Sequence, residues 1–192
     1  MKSKEVKSNI VIRAARKADA LFIAECFRMA MLMEPDAEES RRFAELVCSR
    51  DDVLYSARNT IIAEVDGRRA GMLTSYVGSE YAKMRDVTFE ILKREMGLEF
   101  PGMDDETQPG EYYLDSVALL PEYRGKGLGT QLIRYAMDEG IKTGLTLTLV
   151  VDPANDKARR LYESLGFKEA GTLFLFGHDY TRMVKGEISM HL

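Results

Sequence analysis

The chain has 192 residues, of which 45% are hydrophobic and 30% are charged. This balance is typical of a globular protein and excludes a disordered or a fibrous chain. The formal net charge of -4 provides no positive field for nucleic acid or for an anionic membrane surface. We therefore expect a single domain over residues 1–192 that takes a neutral or cationic partner, with no nucleic acid and no membrane.

Neither the cysteines nor the N-terminal residues indicate an extracellular or membrane protein. Cys26 and Cys48 fall on predicted helices and lack the spacing of a redox or metal site, so they are interpreted as buried free thiols. The charged N-terminus lacks the apolar run of a signal peptide, and no stretch reaches the length of a transmembrane helix. With only two histidines in the chain, no metal site is expected. The predicted location is the cytoplasm.

The first fifty residues predict a strand followed by two helices. Residues 10–13 are β-rich, and Asp19 is a suitable N-cap for a helix whose apolar stripe covers residues 20–31. A second amphipathic helix is predicted over residues 37–50. Together these elements form a strand that leads into a helical pair.

A hairpin, a helix and a loop are predicted next. Two β-rich runs, residues 59–65 and 70–77, flank Asp66-Gly67, a strong turn signal because glycine accepts a positive φ. Residues 81–96 then predict a helix. The irregular, acidic segment 97–110 is interpreted as a mobile or substrate-facing loop.

The last eighty residues alternate between predicted strands and helices. In chain order these are strand 112–119, helix 127–143, strand 145–151, helix 155–165, and a closing strand pair over 167–176 and 180–185 with its turn around residues 177–179. The complete order indicates an α/β fold: one domain with a mixed, mostly antiparallel sheet flanked by helices.

One glycine-rich turn has the chemistry of an anion site. Arg124-Gly125-Lys126-Gly127-Leu128-Gly129-Thr130 joins a predicted strand to an amphipathic helix. Glycines let backbone N–H groups approach an anion, and the helix N-terminus adds a partial positive charge. Arg124 and Lys126 add mobile positive charge, so the expected ligand is a pyrophosphate. The spacing fits neither a Walker A loop nor the G-x-G-x-x-G dinucleotide fingerprint.

The remaining pattern, Arg/Gln-x-x-Gly-x-Gly/Ala, is met by Arg124, Gly127 and Gly129. With the preceding strand YYLDSVALLPEY and the following block NDKARRLYESLGF, the sequence resembles the GNAT superfamily of N-acetyltransferases. The resemblance is close over residues 112–167 and loose over the rest of the chain. It implies a GNAT-like fold, acetyl-CoA as the acyl donor, and a small-molecule or peptide amine as the acceptor.

The resemblance also implies roles for individual residues. Asn155 matches a polar contact to the cofactor, and Tyr162 matches the general acid that protonates the departing thiolate. Backbone groups of the strand end would pair with the pantetheine arm, and the turn would hold the pyrophosphate. These cofactor-binding residues are Val117, Ala118, Leu119, Arg124, Gly125, Lys126, Gly127, Leu128, Gly129 and Thr130.

Several assignments stay open at this level. Asp115 and Glu111 are both candidates for the general base, because strand alternation places them on the same face as Tyr113. Tyr162 also fits a core position on its helix. Residues 20–50 and 81–110 are expected to face the acceptor, and the closing strand pair offers an edge for a homodimer.

Two other functions are compatible with the glycine turn. One is a module of the same fold that binds an acyl-CoA without turnover. The other is an NAD-type oxidoreductase, in which Asp152 at the end of the next strand would bind a ribose. The glycine spacing and the late position of the turn in the chain disfavour the redox enzyme.

Overall fold

The computed structural model describes residues 8–186 and contains one seven-stranded sheet. The strands, in chain order, are β1 (Ile10–Ala14), β2 (Thr60–Val65), β3 (Arg68–Val77), β4 (Glu111–Leu119), β5 (Thr146–Val151), β6 (Lys168–Leu175) and β7 (His178–Lys185). In space their order is β1-β2-β3-β4-β5-β7-β6. Every neighbouring pair is antiparallel except β4 and β5, which are parallel. The predicted mixed, mostly antiparallel sheet is confirmed.

Helices cover both faces of this sheet. They are α1 (Ala20–Ala30), α2 (Ala37–Phe43), α3 (Gly78–Met96), α4 (Leu128–Lys142) and α5 (Asp156–Ser164). The first three pack on one face around residues such as Ile23 and Met72, while α4 covers the other face through Leu132 and Ile133. Because the apolar stripes of α1, α3 and α4 pack against the sheet, the sequence periodicity translates into helical layers on its two faces.

Three local predictions differ from the structure. Asp19 makes no side-chain cap to α1; its carboxylate instead accepts bonds from Arg13 at 2.8 and 3.2 Å and from the Arg16 amide at 2.8 Å. The second helix ends its α-helical part at Phe43 and continues as a π-helical turn to Cys48. The final hairpin turns at residues 176–177, so that His178 already belongs to β7.

The segment 97–110 is tied to the rest of the fold. The backbone of Asp104 donates to the Phe174 carbonyl at 2.9 Å, and its carboxylate accepts from the Phe174 amide at 2.7 Å. Arg85 of α3 bonds Asp105, and Glu106 is 4% exposed. The segment, predicted as a mobile or substrate-facing loop, therefore makes defined contacts to α3 and β6.

Both cysteines are buried and unpaired, as predicted. Burial raises the pKa of the Cys26 thiol to about 12 and that of Cys48 further, so neither is a ready nucleophile. Across residues 8–186, none of the helices combines the length and the apolar character needed to span a bilayer.

Candidate active site

The only parallel strand pair in the described sheet separates soon after it begins. β5 pairs with β4 only through Glu111, Tyr112 and Tyr113, although β4 continues to Leu119 and β5 to Val151. On its other side β4 stays bonded to β3 as far as Leu119. The strands therefore diverge, and one backbone edge of β4 beyond Tyr113 faces an open notch in place of a neighbouring strand.

A β-bulge lies at the point where the strands part. Thr74 of β3 pairs with Ser116 while Ser75 pairs with Leu114, so Asp115 is the extra residue of β4. A bulge reorients the side chains that follow it. Tyr113 packs on the α1–α3 face, Val117 packs on the α4 face, and Asp115 projects into the notch between the two.

The notch opens into a cleft of about 540 Å³. Its walls come from both diverging strands, from the end of α1, from the loop before β4, from α5 and from the closing hairpin. The lining includes Leu32, Glu106, Asp115, Val117, Val151, Asp152, Asn155, Tyr162, Phe176 and Tyr180. This volume fits the acyl end and part of the arm of a large cosubstrate.

The glycine turn stands where the open edge of β4 ends. Gly125 and Gly127 have φ of 75° and 77°, and a Cβ added to either would meet no atom within 4 Å. Both amides therefore border open space. Within residues 8–186, the N–H groups of residue 125 and of residues 127–130 have no acceptor, and α4 begins among them at Leu128. Five free donors at a helix N-terminus form an anion site.

The two cations of the turn are held by backbone carbonyls. Arg124 Nε donates to the Leu119 carbonyl at 3.0 Å, and Lys126 Nζ donates to the Glu122 carbonyl at 2.8 Å. Both side chains are exposed in part, so they can turn toward an anion bound at the adjacent amides. Gly129 is the second residue of α4, and a Cβ added there would lie 3.5 Å from the Leu119 side chain.

Asn155 and Tyr162 enter the cleft from α5. Asn155 is the N-cap of this helix: its Oδ1 accepts from the Ala158 amide at 3.1 Å, which leaves its Nδ2 free to donate within the described residues. Tyr162 packs against Phe167 at 6.1 Å between ring centroids. Its hydroxyl has no hydrogen-bond partner in the described part of the chain. Burial raises the pKa of Tyr162 to about 12, so the phenol stays protonated.

Two carboxyl groups, the buried Glu106 and the half-buried Asp115, line the cleft together. Asp115 Oδ2 accepts from the Tyr76 hydroxyl at 2.6 Å, and Glu106 Oε2 accepts from the Tyr113 hydroxyl at 2.7 Å. Burial raises the pKa of both groups, and the charge of Asp115 adds to the shift of Glu106, whose pKa reaches about 8. A carboxyl group with a pKa near neutrality is suited to proton transfer.

Glu106 is the site residue that sequence reasoning missed. It falls in the acidic run 104–106, which was interpreted as part of a loop, whereas its side chain is inside the protein. Glu106 Oε1 is buried and has no partner among residues 8–186. A single acidic residue in an irregular segment carries no sequence signal of burial. The only hint was its place just before the motif strand.

Glu111 occupies a different environment from Asp115. Its carboxylate accepts from Thr107 Oγ1 at 2.8 Å and forms an ion pair with Arg182 of β7 at 2.5 Å. Gln108 and Thr148 supply further bonds. The side chain is 6% exposed and does not line the cleft. Glu111 therefore joins β4, β5 and β7 where the parallel pair begins, and this geometry favours a structural role.

These features define a class of protein. An open strand edge can pair with an extended arm, free amides beside it can hold a pyrophosphate, and the carboxyl groups of Glu106 and Asp115 line the same cleft as a protonated tyrosine. This set suits a protein that handles a thioester on a phosphorylated carrier. The sequence model of the Acetyltransferase (GNAT) family matches residues 23–167, which is more than half of the chain. The chain belongs to this family.

Curated relatives match over a shorter stretch. Spermidine N(1)-acetyltransferase of Escherichia coli strain K12 is 36% identical over 80 residues, covering 39% of this chain and 43% of the relative. The [ribosomal protein bS18]-alanine N-acetyltransferase of the same strain is 46% identical over 61 residues, covering 31% and 41%. The chain thus spans less than half of the length of these two relatives.

Solved structures match nearly the whole chain. An acetyltransferase crystal structure has a TM-score of 0.74 and 28% identity, covering 91% of this chain and 98% of the other. Aminoglycoside acetyltransferase AAC(6')-Ib, solved with coenzyme A, has a TM-score of 0.64 at 21% identity over 93% and 95%. At 21% identity, the similarity to the aminoglycoside acetyltransferase shows a shared fold and no more.

The described sheet, with one parallel strand pair, differs from the doubly wound parallel sheet that the NAD-type alternative requires.

Proposed function

We propose that the protein is an acetyl-CoA-dependent N-acetyltransferase that acts on a primary amine. The observation that carries this proposal is the cleft between β4 and β5, which combines an unpaired strand edge with the carboxyl groups of Glu106 and Asp115. The family membership and the coenzyme A complex of a structural neighbour support it. The relatives that act on spermidine or on a ribosomal protein differ in acceptor, so the family alone does not select one.

The cofactor assignment uses groups that the fold leaves free. The free N–H groups within residues 125–130 would hold the pyrophosphate, with Arg124 and Lys126 beside it. The open edge at Val117, Ala118 and Leu119 would pair with the pantetheine arm, and Asn155 Nδ2 would donate to it. The residues fit this ligand because the glycine positions keep open space where a side chain would stand.

The proposed mechanism assigns one proton transfer to each side of the cleft. Glu106, with Asp115 coupled to it, takes one proton from the ammonium group so that the nitrogen can attack the thioester carbonyl. The second proton that the nitrogen must lose passes to solvent as the tetrahedral intermediate collapses. A backbone N–H of the β4 edge stabilises the oxyanion. As the C–S bond breaks, the Tyr162 hydroxyl donates to the thiolate and recovers its proton from solvent. The products are an N-acetyl amide and free CoA.

The first expected result is that acetyl-CoA binds with a dissociation constant in the micromolar range, as several charge-assisted hydrogen bonds provide. Isothermal titration calorimetry measures it. Absence of binding heat and of a thermal shift at millimolar acetyl-CoA would refute the cofactor assignment. Release of free thiol with an amine panel then separates an enzyme from a module that binds acyl-CoA without turnover. Donors with longer acyl groups, tested in the same assay, define the acyl chain.

A second expected result concerns the glycine turn. Gly127→Val should weaken acetyl-CoA binding by tenfold or more, because the branched side chain would occupy the space bordering the free amides. The control is Gly67→Val in the β2–β3 turn, where φ is 75° and an added Cβ likewise meets no atom within 4 Å. Both variants carry the backbone strain of a β-branched residue at positive φ. Equal binding by the two would place the pyrophosphate elsewhere.

Three further statements complete the proposal. We place residues 1–192 in one N-acetyltransferase domain with its cofactor-binding core at 112–167. A cytoplasmic location agrees with the two unpaired cysteines. A homodimer would form along the outer edge of β6, which ends the described sheet; sedimentation of the protein measures its oligomeric state.

A further inference from the structure

A second cavity opens beside the cleft. It has a volume of about 240 Å³ and lies between α1, α2, the C-terminal half of α3 and the turn of the β6–β7 hairpin. We call it the apolar pocket. Its lining residues are Phe27, Arg28, Met31, Met33, Phe43 and Tyr55, together with Glu39, Phe89, Leu92, Met96, Leu98, Phe100 and Phe176.

The walls of the apolar pocket are mainly aromatic rings and methionines. Five of the eight phenylalanines of the chain line it. Phe27 lies between Phe43 and Tyr55 at centroid distances of 4.9 and 4.1 Å, and Phe89 contacts Phe100 at 5.1 Å. These side chains form a rigid surface around space that they leave unfilled. An apolar cavity of about 150 Å³ already accepts a benzene ring, so this pocket has room for a group of that size.

The apolar pocket adjoins the cleft. Met31, Tyr55 and Phe176 line both cavities. Phe176 has φ of 51° in a two-residue turn, where asparagine or glycine is the usual choice. Its ring lies edge-on to Phe100 at 5.5 Å and to Tyr180 at 6.4 Å. The strained position holds an aromatic ring at the junction between the carboxyl pair and the pocket.

The charges of the two cavities differ. Asp115 places negative charge at the cleft, and Glu106 adds to it once it is ionised, so an ammonium group would be attracted there. The apolar pocket has only Arg28 and Glu39 as charged residues, and these contact each other at 3.5 Å. Arg28 also donates to the Glu34 carbonyl at 2.8 Å. With its two charges opposite and in contact, the pocket offers no separate site for a second cationic group.

We infer that the apolar pocket binds the substituent of the acceptor, and that the acceptor is a primary amine carrying one apolar group about the size of a phenyl ring or a short alkyl chain. This inference rests on the proposed acetyltransferase function. The amine enters the cleft at Glu106, and its apolar group passes Phe176 into the pocket. A polyamine or an aminosugar would have to place further charge or hydroxyl groups against phenylalanine rings, at a cost in desolvation.

The test is a series of straight-chain primary amines from ethylamine to octylamine, with 2-phenylethylamine and spermidine, assayed by release of free CoA. We expect kcat/KM to rise about threefold to fourfold with each added methylene until the pocket is filled, as burial of a CH₂ predicts. Spermidine should be a poorer substrate than hexylamine. A flat series, or one in which spermidine is the best substrate, would overturn the inference and leave the acetyltransferase function intact.

Two variants locate the effect. Met96→Trp and Leu98→Trp add volume to the apolar pocket, and each should lower kcat/KM for octylamine at least tenfold more than for ethylamine. The control Ile141→Trp makes a similar change on the outside of α4, where Ile141 is 57% exposed, and should leave the series unchanged. Two pocket variants are used so that the test can still be completed if one of them does not fold. If both keep the parent chain-length dependence while binding acetyl-CoA normally, the substituent does not enter this pocket.

A binding assay separates the inference from the proposed function. Thermal shifts with the same amines report on the pocket without turnover, and we expect stabilisation to increase with chain length in the parent and less in Met96→Trp. Absence of CoA release with every amine would refute acetyl transfer to amines of this class. Absence of chain-length dependence in the thermal shifts would refute the pocket, whatever the turnover.

Discussion

Replacement of Glu106 by glutamine is expected to lower kcat/KM for an accepted amine by a hundredfold or more near pH 8, the usual contribution of general base catalysis. Glutamine has nearly the same shape and can still accept from the Tyr113 hydroxyl, but it cannot take a proton from an ammonium group. Acetyl-CoA affinity should stay within about threefold of the parent, because Glu106 lies away from the free amides of the turn.

The pH profile makes this prediction specific. Burial raises the pKa of Glu106 to about 8, so the base is mostly protonated below that pH and the parent kcat/KM should rise through an apparent pKa near 8. In Glu106→Gln this limb should disappear, and the remaining rate should rise only with the ionisation of the amine, near ~10 for an alkylamine. A variant that keeps the limb near pH 8 would show that another group is the base.

Protein stability provides a readout that is independent of turnover. The folded protein holds the Glu106 proton to higher pH than the unfolded chain, in which the pKa of a glutamate is near its ordinary value of 4.5. This group therefore favours the folded state at low pH, and that contribution is lost as the pH rises from about 4.5 to about 8. Glu106→Gln removes the ionisation, so its melting temperature should fall less than that of the parent over this range.

Two further variants separate Glu106 from its neighbours. Asp115→Asn removes the negative charge that helps to raise the pKa of Glu106, so the kinetic limb should move to lower pH without disappearing. If the base is Asp115, one of the two candidates that the sequence left open, its asparagine variant loses the limb instead. The control Asp105→Asn changes an adjacent acid that is 57% exposed and should retain activity within about twofold.

Replacement of Tyr162 by phenylalanine is expected to lower kcat about a hundredfold at saturating acetyl-CoA while acetyl-CoA affinity is kept. The ring would still pack on Phe167, so the change removes a single hydroxyl that faces the cleft without a partner in the described chain. Such a loss corresponds to about 2.7 kcal/mol in the barrier. The steady-state rate of CoA release measures it.

The pH dependence and a matched substitution test the acid role. Burial raises the pKa of Tyr162 to about 12, so the donor remains protonated at every pH of the assay and the loss of kcat should shrink only at low pH, where solvent protonates the thiolate. Tyr135→Phe on α4 removes a hydroxyl outside the cleft and should change kcat by no more than about twofold. If the kcat of Tyr162→Phe stays as close to that of the parent as the kcat of Tyr135→Phe does, Tyr162 is a core residue and not the general acid.

Much of the cofactor region could be predicted from the sequence because its groups are local. The turn at residues 124–130 needs glycine for its positive φ, and the α4 N-terminus follows it within the same stretch of chain. Tyr162 and Asn155 were predicted as site residues through the resemblance, and the structure brings both into the cleft. Short-range requirements of this kind appear directly as residue types at fixed spacing.

The carboxyl pair could not be predicted in this way. Strand alternation places Asp115 and Glu111 on the same face. The bulge at Asp115 directs its side chain into the cleft, whereas an ion pair with Arg182, 71 residues away, holds Glu111 outside the cleft. Glu106 is buried only because its loop packs under Tyr81 and Tyr113. Each outcome depends on contacts between distant segments, which set burial and so the pKa.

The sequence by itself determined the order of strands and helices, the β2–β3 hairpin, the glycine turn and the family resemblance, because periodicity, turn chemistry and motif spacing are local properties. Only the tertiary structure decided where β4 and β5 separate, that one carboxylate oxygen of Glu106 is buried without a partner in the described chain, and that five phenylalanines from separate segments surround one pocket. Desolvation and cavity shape arise from the packing of several segments at once, so no single stretch of the chain encodes them.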